Sequence, residues 1–143
     1  MRKQNAMLVM VVLFVAALGL TACAGKASAG SGSDATKSAT EVHVKLTEFT
    51  IELDRTSIPT GSVKFIINNA GAIVHEVVLE PVGAVDKPFE SGGKEAEAPD
   101  IEAGKSSSLE WTLDQPGEYQ LGCHTPGHYE AGMVTTFTVT APY

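Results

Sequence analysis

From Glu41 onward the chain alternates apolar and polar residues with a period of two, and this pattern constrains its fold more than any other feature. Successive side chains of a strand point to opposite faces, so alternation marks half-buried strands rather than helices. Val42, Val44 and Leu46 alternate with His43, Lys45 and Thr47, and Phe49, Ile51 and Leu53 with Thr50, Glu52 and Asp54. Val63, Phe65 and Ile67 follow the turn residues Pro59-Thr60-Gly61. Ile73, His75, Val77 and Leu79 are predicted to share one face, and Leu109, Trp111 and Leu113 another. Tyr119, Leu121 and Cys123 follow Gln115-Pro116-Gly117, and Met133, Thr135, Phe137 and Val139 form the last candidate strand. No stretch carries a helical period. About seven to eight short strands separated by turn signals in ~100 residues predict an all-β chain, a Greek-key antiparallel β-sandwich. The expected core includes Phe65, Trp111, Leu121 and Phe137.

Pro81 to Gly104 departs from the pattern. It is acidic and rich in Gly, Pro and Ala, and reads as a long loop with a short helical piece around Lys94 to Ala98. A loop of that length is uncommon without a role, but the plainer reading, a tolerated surface insertion, is the one favoured here.

The N-terminus has a different character. Met1-Arg2-Lys3-Gln4 is a short basic start, and Ala6 to Leu20 is apolar except for Gly19. Spanning a bilayer takes roughly 20 apolar residues, so this run suits a secretory signal better than a permanent span. Leu20-Thr21-Ala22-Cys23 then resembles the lipobox of bacterial lipoproteins. That resemblance implies a diacylglycerol on the Cys23 sulfur and cleavage just before it. Residues 1–22 are then a cleaved signal peptide, 23–40 a lipidated flexible tether and 41–143 the folded domain. The Ala/Gly/Ser/Thr/Lys-rich tether has too little apolar surface to bury a core. The expected location is outside the cytoplasm, anchored to the cell membrane by lipid.

Charge narrows the partners. The chain has 10 Lys+Arg against 17 Asp+Glu; without Arg2 and Lys3 the balance is 8 to 17, a net of −9. Such a surface does not suit nucleic acid, which is bound by displacing counterions with Lys and Arg. It suits a basic protein partner, or simply solubility.

Of only two cysteines, lipidation of Cys23 would leave Cys123 without a partner. A lone thiol outside the cytoplasm is open to oxidation unless it is buried and inert or held on a metal. Its neighbours favour the metal. Within Gly122 to Met133 fall a thiolate (Cys123), an imidazole (His128) and a thioether (Met133). Cys123 ends one inferred strand facing inward, Met133 begins the next, and Pro126-Gly127 turns the chain so that His128 folds back. Soft sulfur with imidazole selects copper, and a His₂Cys set with a weak axial Met marks blue-copper electron-transfer sites. His75, an imidazole on an apolar strand face, supplies the second histidine. Read without a metal, His75 would be a satisfied core histidine and Met133 plain core.

The pattern C-x₄-H-x₄-M, with a histidine on an upstream strand, resembles the cupredoxins, the type-1 copper proteins. The loop with its Pro-Gly-His is similar to that of the rusticyanin and sulfocyanin type. The resemblance covers roughly Val42 to Thr140. It implies one type-1 copper ion with His75, Cys123 and His128 as equatorial ligands and Met133 as the axial one. Glu76 follows the first histidine where many members carry Asn or Ser, so that residue's bond to the copper loop is not carried over.

The implied function is one-electron transfer by a monomer, with a redox protein such as a cytochrome or terminal oxidase as partner. Enzymatic activity is not expected. In multicopper oxidases the cysteine lies in a His-Cys-His run, and here Gly122 stands in the first position with no His-x-His pair elsewhere. The alternative is copper storage or delivery to a membrane oxidase, which would favour an open Met-rich site; Met133 is the one methionine beyond the signal. His43 is expected to be solvated. His124 points away from Cys123 and is a lesser candidate for a second metal contact or an electron exit.

Overall fold

The computed structural model describes residues 38–141. The expected signal peptide, the expected lipidation site Cys23 and all but the end of the expected tether lie outside that range. Among the described residues the elements are strands: β1 (Thr40–Thr47), β2 (Thr50–Leu53), β3 (Ser57–Pro59), β4 (Gly61–Asn69), β5 (His75–Pro81), β6 (Glu90–Ser91), β7 (Lys94–Glu95), β8 (Glu97–Ile101), β9 (Ser106–Leu113), β10 (Gly117–Gly122) and β11 (Val134–Thr140).

They build two larger sheets and a small ribbon. One sheet has the order β2-β1-β4-β9, the other β3-β11-β10-β5-β8, and β6 pairs with β7 alone. Alternating inward residues fill the space between the sheets. Val42, Val44, Leu46, Val63, Phe65, Ile67, Leu109 and Leu113 come from the first, and Val77, Leu79, Leu121, Phe137 and Val139 from the second. Phe65 meets Phe137 edge to face, with ring centroids 5.8 Å apart. Trp111 is only partly buried against this core.

The all-β sandwich expected from the alternation is present, with three differences of detail. First, the sheets are mixed: β1 runs parallel to β4 and β3 parallel to β11. Alternation specifies which side chains are buried but not strand direction. The chain leaves the first sheet after β2, lends β3 to the second, and returns as β4, a crossover of the kind that parallel neighbours require.

Second, the helical piece expected around Lys94 to Ala98 is extended chain. Gly92 and Gly93, with φ of 59° and 76°, turn β6 tightly into β7. Ala96, Ala98 and Ile101 are buried, and β8 pairs as the edge strand with β5, Ala98 opposite Val77. Burial and ladder bonds here override alanine's helical preference.

Third, Ile73 does not share the face of His75. It is 44% exposed in the turn before β5, which starts at His75. Met133 likewise precedes β11 rather than opening it, and is fully buried.

Candidate metal centre

His75 opens β5 opposite Ile101 of β8. Cys123 lies one residue beyond the end of β10, and Gly122 pairs on one side with Val78 of β5 and on the other with Val134 of β11. The ends of three adjacent strands thus meet at one end of the sandwich.

The loop from Cys123 to Met133 is closed by its own main chain. The His128 amide donates to the Thr125 carbonyl at 2.9 Å, around a Gly127 whose φ of 83° suits a residue without a side chain. The Ala131 amide donates to Gly127 at 3.2 Å and the Gly132 amide to Tyr129 at 2.9 Å. The Met133 amide donates to His128 at 3.0 Å, and the Cys123 amide to Met133 at 3.0 Å. This folding carries the His128 ring back over Cys123.

Three donor atoms converge. His75 Nδ1 and His128 Nδ1 are 3.2 Å apart, Cys123 Sγ is 3.4 Å from His128 Nδ1, and it is 4.0 Å from His75 Nδ1. His75, Cys123 and Met133 are fully buried and His128 is 6% exposed. Two imidazoles presenting the same nitrogen to each other can share one hydrogen bond at most, whereas a cation between them and the thiol would occupy all three lone pairs. Burial, and next the positive charge that His128 can carry, hold the His75 pKa below the usual imidazole range. A neutral imidazole is the form that ligates metal. The donor set therefore fits a borderline-to-soft metal ion. Met133 belongs to the same closed loop through its main-chain bonds to Cys123 and His128.

Several neighbours had no clear signal in the sequence. Phe49, in the β1–β2 hairpin, packs edge-on against the His128 ring at 5.0 Å. Thr125 Oγ1 lies 3.4 Å from Cys123 Sγ. Asn69 pins the turn that leads into His75. Its side-chain amide donates to the Ile73 and Ile101 carbonyls at 2.8 and 2.7 Å, and its side-chain oxygen accepts from the Gly71 amide at 2.9 Å. The reach of the Asn69 side chain to Ile101 is not readable from the sequence. Glu48 accepts from the Ala72 amide at 2.6 Å and the Ile73 amide at 3.2 Å. The Ala72 bond is the main reason its carboxyl pKa lies below the usual range.

His124 turns away from the three donors. Its Nε2 is 2.9 Å from Glu80 Oε1, and its ring stacks on Tyr129 with centroids 4.8 Å apart. Glu80 is fully buried and also accepts from Gln120 Nε2 at 2.9 Å and the Lys87 amide at 3.1 Å. This network leaves no room at Gly122: a Cβ there would lie 2.8 Å from Glu80 Oε1 and 3.1 Å from His124 Nε2. His43 is exposed on β1.

The comparisons agree with this architecture. A family profile described as a cupredoxin-like domain matches residues 9–136. The chain belongs to the cupredoxin-like family. This cupredoxin-like chain is 30% identical over 119 residues to the copper-resistant cuproprotein CopI of Rubrivivax gelatinosus, covering 73% of this chain and 69% of that one. It is 28% identical over 120 residues to the copper-resistant cuproprotein CopI of Vibrio cholerae serotype O1, covering 77% and 71%. Among solved structures it is similar to auracyanin B, with a TM-score of 0.55 and 26% identity over 71% of this chain and 89% of that one.

Proposed function

We propose that this cupredoxin-like chain is a type-1 copper protein that carries single electrons. His75 Nδ1, Cys123 Sγ and His128 Nδ1 would hold one copper ion, with the Met133 thioether as a weak axial donor. The observation that carries this reading is the convergence of the three donors in a buried pocket fixed by main-chain bonds. Copper bound there supplies a reversible one-electron couple. The chain's own residues hold the donors in place in either oxidation state, so little rearrangement opposes transfer. The names of the CopI relatives, copper-resistant cuproproteins, support copper as the metal.

The further parts of the proposal concern context. The chain acts without catalysing a reaction of its own, as a monomer, outside the cytoplasm, held to the membrane through lipid on Cys23 after cleavage of residues 1–22. Its rusticyanin-type loop faces a redox protein such as a cytochrome or terminal oxidase. Two large apolar residues near the site, Phe49 at 40% exposure against His128 and Ile73 at 44%, support docking at this end.

A second reading, copper storage or delivery, is favoured by the copper-resistance wording in the relatives' names. Voltammetry combined with a chelator challenge separates the two. An electron carrier gives a reversible one-electron wave and loses copper slowly to a strong chelator. Rapid, complete loss of copper without a reversible wave would establish storage or delivery instead. Cys23→Ser tests the anchor: the protein should leave the membrane fraction, and firm retention with an uncleaved N-terminus would overturn the lipoprotein reading.

A further inference from the structure

His75 Nε2 is the one buried side-chain nitrogen or oxygen among the described residues that lacks a hydrogen-bond partner. The ring's other nitrogen, Nδ1, faces Cys123 and His128. A neutral imidazole that gives its Nδ1 lone pair to a metal carries its proton on Nε2, and that N–H requires an acceptor. Glu48 Oε1 is 3.5 Å from it, just outside hydrogen-bond range.

Three features aim that carboxylate at His75. Two backbone amides, Ala72 and Ile73, donate to Glu48 Oε1 from the turn that leads into His75. Gly71 leaves the space it occupies, since a Cβ there would collide with the carboxylate. The Glu48 side chain is only 32% exposed although it lies in a hairpin turn.

We propose that Glu48 is a positioning residue of the metal centre: its carboxylate accepts the Nε2–H of His75 when Nδ1 ligates copper, and its negative charge holds the reduction potential down. The inference rests on copper being bound by His75, Cys123 and His128. The accepted proton fixes the tautomer and the ring orientation. The charge favours Cu(II) over Cu(I), because the oxidised centre is the more positive.

Glu48→Gln isolates the charge, since the amide oxygen can still accept from Ala72 and Ile73. The variant should keep the wild-type visible spectrum while its Cu(I)/Cu(II) ratio at a fixed potential rises roughly tenfold, equivalent to about 59 mV for one electron. In the diamagnetic Cu(I) form of the wild type, the His75 Nε2–H should give a nitrogen-15-coupled proton signal protected from solvent exchange. If the wild type is blue and the potential of Glu48→Gln is unchanged, the role of Glu48 is overturned and the copper assignment stands. If Glu48→Gln does not fold, the wild-type signal decides: rapid exchange at Nε2 overturns the role, and protection supports it. A wild type that gives no blue copper spectrum overturns both.

Discussion

The Cys123 amide donates to the Met133 carbonyl at 3.0 Å, and this bond closes the loop that carries the three loop-borne candidate ligands. Because the Met133 amide in turn donates to His128, Cys123, His128 and Met133 are linked through backbone alone. The separate apolar core lies between the sheets. Neither depends on a metal. The metal-free protein should therefore unfold cooperatively, and copper should raise its Tm by binding the native state. At free copper 1,000 times Kd the gain is about 4 kcal/mol. Calorimetry of the metal-free and copper-loaded forms measures it. A metal-free form without a cooperative transition would contradict this account.

The two sulfur atoms should behave differently. Cys123→Ser removes the thiolate, so the intense visible colour should vanish. Met133→Leu keeps volume and apolarity at a fully buried position, and such swaps usually cost under about 1.5 kcal/mol. Losing a weak axial donor leaves a drier, three-coordinate site that favours Cu(I). Spectra and voltammetry should show the blue colour kept and the potential raised. Bleaching by Met133→Leu would mean that Met133 is more than a weak ligand, and no change at all would make it ordinary core.

Glu80 ties the chain after β5 to the metal loop. It is buried and bonded to Gln120, the Lys87 amide and His124, which follows Cys123. Glu80→Ala strands those partners in the interior and should cost about 2–4 kcal/mol. Glu80→Gln, which retains an acceptor, should cost less. Urea denaturation of the metal-free protein distinguishes them, and an unshifted midpoint for Glu80→Ala would show the network to be dispensable.

The acidity of the segment between β5 and β9 has a cost at neutral pH. Burial, then the charges of Glu95, Glu76 and Asp86, raise the pKa of Glu97 above the usual carboxylate value. The folded chain therefore holds a proton on Glu97 that the unfolded chain has already released, in the window just above the ordinary glutamate value. Stability attributable to this group is greatest below that value and falls as pH rises through the folded pKa. Glu97→Gln should raise Tm by about 1–3 °C at pH 7 and leave it unchanged near pH 3.5. A gain of equal size at both pH values would point to packing rather than charge.

What could be read from the residues divides along physical lines. Strands with one wet face, such as β1 with Val42, Val44 and Leu46 inward, announce themselves because burial follows the period of two. Cys123, His128 and Met133 could be grouped because they lie in one short loop, and His75 stood out as an imidazole in an apolar strand. β8 was not legible: its inward Ala98, and the buried Ala96 just before it, are small enough to suit a helix or loop. Parallel pairing of β1 with β4 was not legible because alternation carries no direction. Alternation placed Phe49 on an apolar strand face with Ile51 and Leu53, but it sits in the hairpin turn before β2, 40% exposed, and packs on His128. Glu48 was not legible because a charge beside a turn reads as surface until the fold brings it to His75.

If His75, Cys123 and His128 together hold one copper ion, the metal-free protein should take up copper with a distinct spectrum. Titrating the purified metal-free protein with Cu(II), while recording visible absorption and electron paramagnetic resonance, tests it most directly. An intense blue band should saturate at one copper per chain, with the narrow copper hyperfine splitting of a thiolate-bound centre, and both should be lost in Cys123→Ser. A weak spectrum typical of tetragonal nitrogen and oxygen ligation, unchanged in Cys123→Ser, would contradict it.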